Sequence, residues 1–167
     1  HQFRYPSNLF IACIAIKIMI PESRLIKSEI TLRDLSLPDD IKLSRKSLIR
    51  WLALSLGLIS PNESRRLLLD ILDILISFHV KNEQPTTIQI LETLEKSGEK
   101  KFHSKAVYYH LLRLKESGFI SRKKGHYYIG DGDSGKLSHI FRRIYSQKSE
   151  NVFKKVDEAF SSVESGY

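Results

Sequence analysis

Cysteine is almost missing from this chain: Cys13 is the only one in 167 residues. A single thiol excludes an intrachain disulfide and a cysteine-based zinc site, and the composition fits a reducing, cytoplasmic compartment. A run long enough to span a bilayer is missing as well. The apolar stretch from Asn8 to Ile20 is too short and is interrupted by Lys17. It has the length of a signal-peptide core, but no small-residue cleavage site follows before Pro21. It is therefore read as a core or dimer-interface helix or strand, and no membrane partner is expected. Methionine occurs once, at Met19, and the sequence opens at His1, so a non-native remnant or an upstream extension at residues 1–18 is a minority reading beside a native segment.

The signatures of common chemistries are also missing. There is no glycine-rich phosphate loop, no metal-ligand spacing and no serine nucleophile elbow. His79, His103, His110, His126 and His139 fall on segments read as different elements, with no adjacent carboxylate pair. Each is read as structural or backbone-binding, with His110 a satisfied core histidine. Asp131-Gly132-Asp133-Ser134-Gly135 resembles the opening of a calcium loop, but Gly135 stands where an oxygen ligand is wanted and no bidentate Glu follows. That stretch is expected to be a turn and helix cap. No catalytic residue, metal or cofactor is expected, and the chain is not read as an enzyme.

What is present is positive charge, unevenly placed. The net charge is +8, with 27 Lys and Arg against 19 Asp and Glu. Residues 1–66 carry 11 basic and 6 acidic side chains, residues 67–130 carry 10 and 7, and residues 131–167 carry 6 and 6. Residues 101–126 hold seven cations (Lys101, Lys105, Arg113, Lys115, Arg122, Lys123, Lys124) and one acid, Glu116. A polyanion is the natural partner for that density.

The same stretch has a readable architecture. Ser104 is placed to cap a helix and Gly118 to end it with a positive φ. Val107, His110, Leu111 and Leu114 recur at three- and four-residue steps, so they share one face, which should be buried. The opposite face carries Lys105, Tyr109, Leu112 and Glu116, flanked by Tyr108 and Arg113. After Gly118, aromatic and β-branched residues lie on both sides of the polar turn Lys123-Lys124-Gly125-His126, which predicts a two-stranded hairpin.

The run from Ser104 to Ile120, SKAVYYHLLRLKESGFI, resembles the recognition helix and following strand of prokaryotic winged-helix transcription regulators of the ArsR, PadR and MarR kind. The shared pattern is small-Val-x-x-His-Leu-x-x-Leu-x-x-x-Gly-hydrophobic-hydrophobic, and the likeness covers about 60 residues once the two preceding helices are included. The resemblance implies a mainly α fold with a small β-hairpin wing. It also implies sequence-specific binding of double-stranded DNA by a regulator acting as a dimer. In that reading Ser104, Lys105, Tyr108 and Tyr109 face base edges and the nearest phosphates, while Arg122, Lys123, Lys124 and His126 hold the adjacent backbone or minor groove. Winged helices also serve as protein-interaction modules, and Tyr108, Tyr109, Tyr127 and Tyr128 suit an RNA-binding module, so both alternatives stay open.

The rest of the chain is read as support. Ile30 to Leu37 shows no clean period and is read as a short helix or strand, and Pro38-Asp39-Asp40 as a turn. Ser44 should cap a helix from Arg45 to Leu58, with Trp51 as a core anchor. Arg45, Lys46 and Arg50 form either a second nucleic-acid contact or a solvated face. Ser60-Pro61-Asn62-Glu63 is read as a helix start, with Ser60 as cap and Glu63 bonding back to it. That helix carries an apolar stripe at Leu67, Leu68, Ile71, Leu72, Leu75 and Phe78. Thr86 and Gln89 form a second capping box. Leu137, Ile140, Phe141 and Ile144, then Val152, Val156, Phe160 and Val163, stripe one long terminal helix or two, broken near Ser146 to Ser149. The predicted organisation is an N-terminal helical extension (1–59), a winged-helix domain (60–130) and a C-terminal dimerisation segment (131–167).

Overall fold

A computed structural model describes residues 21–98, 101–132 and 134–166. The reading of Asn8 to Ile20 lies outside them. After a single 3-10 turn, Glu22–Arg24, the helices are α1 (Asp39–Lys42), α2 (Arg45–Ser55), α3 (Arg66–Val80), α4 (Thr87–Ser97) and α5 (Ser104–Glu116). Then come strands β1 (Ile120–Lys123) and β2 (His126–Ile129), and a last helix, α6 (Leu137–Glu164). The protein is thus mainly helical with one small antiparallel hairpin.

Local chemistry explains most boundaries. The Ser44 side chain accepts from the Ser47 amide at 3.4 Å, which starts α2 as expected. At the other end α2 stops at Ser55 rather than Leu58. Gly57 takes φ +73°, and a Cβ there would lie 2.5 Å from Thr31 Cβ, so the chain turns where only glycine fits. The Arg33 guanidinium covers this end, donating to the Leu54 carbonyl at 2.7 Å and the Ile59 carbonyl at 2.9 Å. A cation there also suits the negative end of the helix dipole.

Arg33 belongs to the stretch read as a short helix or strand, and the structure makes Ile30 to Leu37 neither. It runs irregularly along α2, held by the Arg33 amide on the Ser55 carbonyl (2.8 Å), the Ser55 hydroxyl on the Arg33 carbonyl (2.9 Å) and Trp51 Nε1 on the Ser36 carbonyl (2.8 Å). Trp51 is half-buried and pins this segment, so it is not the core anchor expected. Pro38-Asp39-Asp40 does more than turn the chain, because it opens the short helix α1.

The expected start at Ser60 is wrong for α3. Only half of the box exists: Glu63 Oε2 accepts from the Ser60 amide at 3.3 Å, but the Glu63 amide donates to the Ser60 backbone carbonyl at 3.2 Å, not to its hydroxyl. These bonds close an isolated turn, because Asn62 (φ +67°) and Arg65 (φ +29°) are left-handed and no helix runs through them. Helical geometry begins at Arg66. For α4 the Thr86–Gln89 capping box is formed as read, with Gln89 to Thr86 contacts at 2.8 and 3.2 Å.

One core holds the elements together. Ile71, Leu72 and Leu75 of α3, Ile90 and Leu94 of α4, Val107, Leu111 and Leu114 of α5, and Ile120, Tyr127 and Ile129 of the hairpin are buried in one cluster. Ile140 of α6 joins it, with Leu137, Phe141 and Ile144 packed against it. In the hairpin, Ile120 pairs with Ile129, Ser121 with Tyr128, Arg122 with Tyr127 and Lys123 with His126. Lys124 (φ +51°) and Gly125 (φ +81°) make the two-residue turn, whose positive φ values suit strand twist. Along the outer edge of β2 the Tyr127 amide donates to the Pro85 carbonyl at 2.8 Å, and Thr86 bridges to His126.

The terminal helix is unbroken from Leu137 to Glu164. The Ser149 hydroxyl donates back to the Tyr145 carbonyl at 2.7 Å, which keeps a polar residue inside helical geometry where a break was allowed for. The loop before it does turn the chain. It supplies no side-chain cap, since Lys136 occupies the N-cap without one, and Asp133 lies outside the described residues.

Candidate nucleic-acid interface

Helix α5 has two clearly different faces. Val107, Leu111 and Leu114 are buried, as their spacing requires. Gly118 follows the helix at φ +79° and turns the chain into β1, with the Phe119 amide on the Leu114 carbonyl at 3.1 Å. The start differs from the reading: His103 is the N-cap and makes no side-chain bond, while Ser104 is the first helical residue. Ser104 is therefore an exposed hydroxyl in the first turn.

On the outer face Lys105 is exposed, Tyr108 keeps 51% and Tyr109 53% of its surface, and Leu112 keeps 49%. Two tyrosines left half-bare beside a lysine are not filling the core. Arg113 lies next to them, 3.6 Å from Glu116 in an exposed pair of little energetic weight.

The hairpin brings four expected contacts together but uses them unequally. Arg122 and Lys124 are exposed, with Arg122 5.4 Å from the Tyr127 ring centroid. Lys123 instead folds back, donating to the Asp131 carbonyl and lying 5.8 Å from the Tyr128 ring centroid. His126 is also engaged, its Nδ1 within 2.8 Å of the Gln84 carbonyl. Sequence spacing could not show this, because both partners lie on other segments. Tyr127 is buried and Tyr128 half-buried, which removes Tyr127 from any set of base-stacking rings.

Of the second candidate contact, Arg45 and Lys46 are exposed on α2, which fits either alternative. Arg45 Nε is 2.6 Å from Asp73 Oδ1 and its guanidinium reaches the Ser77 hydroxyl at 3.0 Å, so it ties α2 to α3. Lys46 borders a groove with Ile49, Arg66, Leu69, Asp70 and Asp73, which includes no residue of α5 or the hairpin. Arg50 is half-buried.

Sequence reasoning missed Arg65. Its left-handed turn brings it to a cleft of about 270 Å3 that also includes Tyr109, His110 and Arg113. Glu63 holds it there at 2.8 Å. His110 is half-buried, edge-on to Tyr109 with ring centroids 5.5 Å apart. Burial, and secondarily the Arg65 charge, hold its pKa below the ordinary 6.5. No local sequence signal announces a left-handed arginine.

Other histidines act as expected of backbone binders, as His79 Nε2 does 2.7 Å from the Gly135 carbonyl. Among the described residues, no cluster of three or more His, Cys, Asp or Glu could hold a metal ion. No helix among them is long and apolar enough to cross a membrane. Comparison of the chain with protein-family models, with curated proteins and with solved structures finds no match.

Proposed function

We propose that residues 60–130 form a winged helix that binds double-stranded DNA in a sequence-specific way, as part of a dimeric, cytoplasmic transcription regulator. The observation that carries this reading is the outer face of α5, where Lys105, Tyr108 and Tyr109 stand exposed on a helix whose other face is buried. The order α3, the Pro85–Thr86 edge, α4, α5, then hairpin supports the winged-helix assignment. A major groove admits a helix of this kind, with Ser104, Lys105, Tyr108 and Tyr109 toward base edges and phosphates. Arg122 and Lys124 at the hairpin tip take the neighbouring backbone, and Lys123 and His126, exposed but each bonded to a backbone carbonyl, brace that tip. Phosphate contacts set affinity and register, while the α5 face reads sequence.

Selection from a random duplex pool tests the reading. Recovery of a palindromic site supports both duplex recognition and the dimer; a pool that stays random after repeated rounds contradicts it.

One observation favours a second reading. Leu112, half-exposed between the tyrosines, gives α5 an apolar and aromatic face of the sort a protein partner also uses. A protein-interaction module predicts a co-purifying chain and no retention on duplex DNA at low salt.

A further inference from the structure

The second half of α6 lies outside the core. Its first half is fastened to the body: Tyr145 donates its phenol to the Leu56 carbonyl at 2.6 Å, and Lys148 donates to the Ser117 carbonyl at the end of α5. Beyond them the side chains from Glu150 to Glu164 are all exposed. Val152, Phe153, Val156, Phe160 and Val163 are among the exposed large apolar residues, on a helix fastened at its root.

Their spacing is that of a helix seam. Val152, Val156, Ala159 and Val163 follow one another at steps of four, three and four, the core repeat of a coiled coil. Phe153 and Phe160 flank one side of the seam, and Lys155 and Ser162 flank the other. The remaining positions, Glu150, Asn151, Lys154, Asp157, Glu158, Ser161 and Glu164, are all polar. A helix with this division needs one partner helix and has no apolar surface for a second.

We propose that this seam pairs with the same seam of a second copy, in antiparallel orientation, about a two-fold axis passing between Asp157 and Glu158. The pattern is symmetric under that reversal. Val152 meets the second copy's residue 163, and Val156 meets its residue 159, so every seam position finds an apolar partner. In an antiparallel pair each flank faces its own kind, which sets Phe153 against the other copy's residue 160 and Lys155 against its residue 162. In a parallel pair the flanks cross over, and the aromatic residues face the lysine side instead. The antiparallel choice joins the aromatics and leaves no like charges opposed. An interface related by such an axis is closed, so it stops at two copies.

This deepens the dimer in the proposed function and fixes its geometry. Lys148 sits at the C-terminal end of α5, so the register of the α6 pair sets how far apart the two α5 faces lie. Because the root of α6 is already held by Tyr145 and Lys148, little further ordering opposes the pairing.

Cross-linking in the full chain decides it. In a Cys13→Ser background, Val152→Cys and Val163→Cys are made separately, with tags of different size, and oxidised alone and mixed. Reversed seams bring position 152 next to 163 and hold the two copies of position 152 roughly 16 Å apart, beyond disulfide reach. The expected result is a cross-linked heterodimer in the mixture and little linkage of either variant alone. Linkage of each variant to itself, without the mixed product, means a parallel pair and overturns the proposal. So does a monomer in sedimentation with no cross-link, whether or not it binds DNA. A gel shift of the reduced variants scores duplex binding separately, so failure of this register and failure of the DNA reading give different results. Phe160→Glu, at an exposed position, supplies the second variant: loss of dimer with unchanged helix content is expected, and an unaffected dimer counts against the aromatic pairing.

Discussion

Arg122 stands exposed on β1 and Lys124 on the turn with its two positive φ values, whereas Lys123 between them is drawn back onto the Asp131 carbonyl. Position in the sequence gives the three cations equal standing, but the fold does not, because the Lys123 ammonium is taken up by a backbone carbonyl. Changing Arg122 and Lys124 together to Glu is expected to weaken duplex binding for all sequences alike and to lower the salt slope by about 2 per subunit. Lys123→Ala should leave that slope nearly unchanged. Equal losses from the two variants in a gel-shift titration would contradict this division.

His110 gives a prediction in pH. Burial, then the Arg65 charge, favour its neutral form in the fold, while the unfolded chain titrates near the ordinary 6.5. Between the lowered value and 6.5 the unfolded state binds more protons, so stability rises with pH across that window. The contribution is complete above 6.5 and is lost as pH falls through the folded value. His110→Gln should flatten this part of the urea-midpoint profile, since other histidines remain in both proteins. An unchanged pH profile in the variant would show that His110 does not titrate this way. The sequence placed His110 at the edge of a buried face; it could not supply Arg65, whose approach depends on a left-handed turn 45 residues earlier.

Among the elements, those closed by short-range bonds were legible. Thr86 with Gln89, Ser44 before α2 and Gly118 after α5 all sit where their local chemistry places them, because donor and acceptor are within four residues. Ser60 shows the limit of that reasoning. Its bonds with Glu63 form, but Asn62 and Arg65 divert the backbone and the helix waits until Arg66. Ile30 to Leu37 was unreadable for a different reason: its hydrogen-bond partners lie on α2, about 20 residues away, so no local period could reveal its path.

The join between hairpin and α6 is similarly tight and similarly non-local. Gly130 has φ +67°, and a Cβ there would fall 2.7 Å from Ile140 Cγ2. Gly130→Ala should therefore cost about 1–3 kcal/mol, combining left-handed strain with displacement of a buried isoleucine. Urea unfolding measures it. A loss below a few tenths of a kcal/mol would mean that α6 shifts freely over the hairpin.

At the scale of the whole molecule, the core faces inward from α3, α4, α5, the hairpin and the first half of α6, and two surfaces are left over. One is the α5 face with the hairpin tip, cationic and aromatic; the other is the far half of α6, with an apolar seam and four acids against two lysines between Glu150 and Glu164. The sequence disclosed both as compositions, and the resemblance to winged-helix regulators suggested a use for the first. It did not disclose their linkage. Lys148 on the carbonyl of Ser117, and Tyr145 on that of Leu56, bind the root of α6 to the ends of α5 and α2. The candidate second contact went another way, with Arg45 paired to Asp73 at the surface, between α2 and α3.

The most direct test is equilibrium binding of the full chain to duplex DNA across a range of salt concentrations. If each subunit of a dimer neutralises ~3 to 4 phosphates, the logarithm of the binding constant should fall with the logarithm of salt with a slope of roughly −5 to −7. A flat response, or no retention of duplex at low salt, would contradict the account.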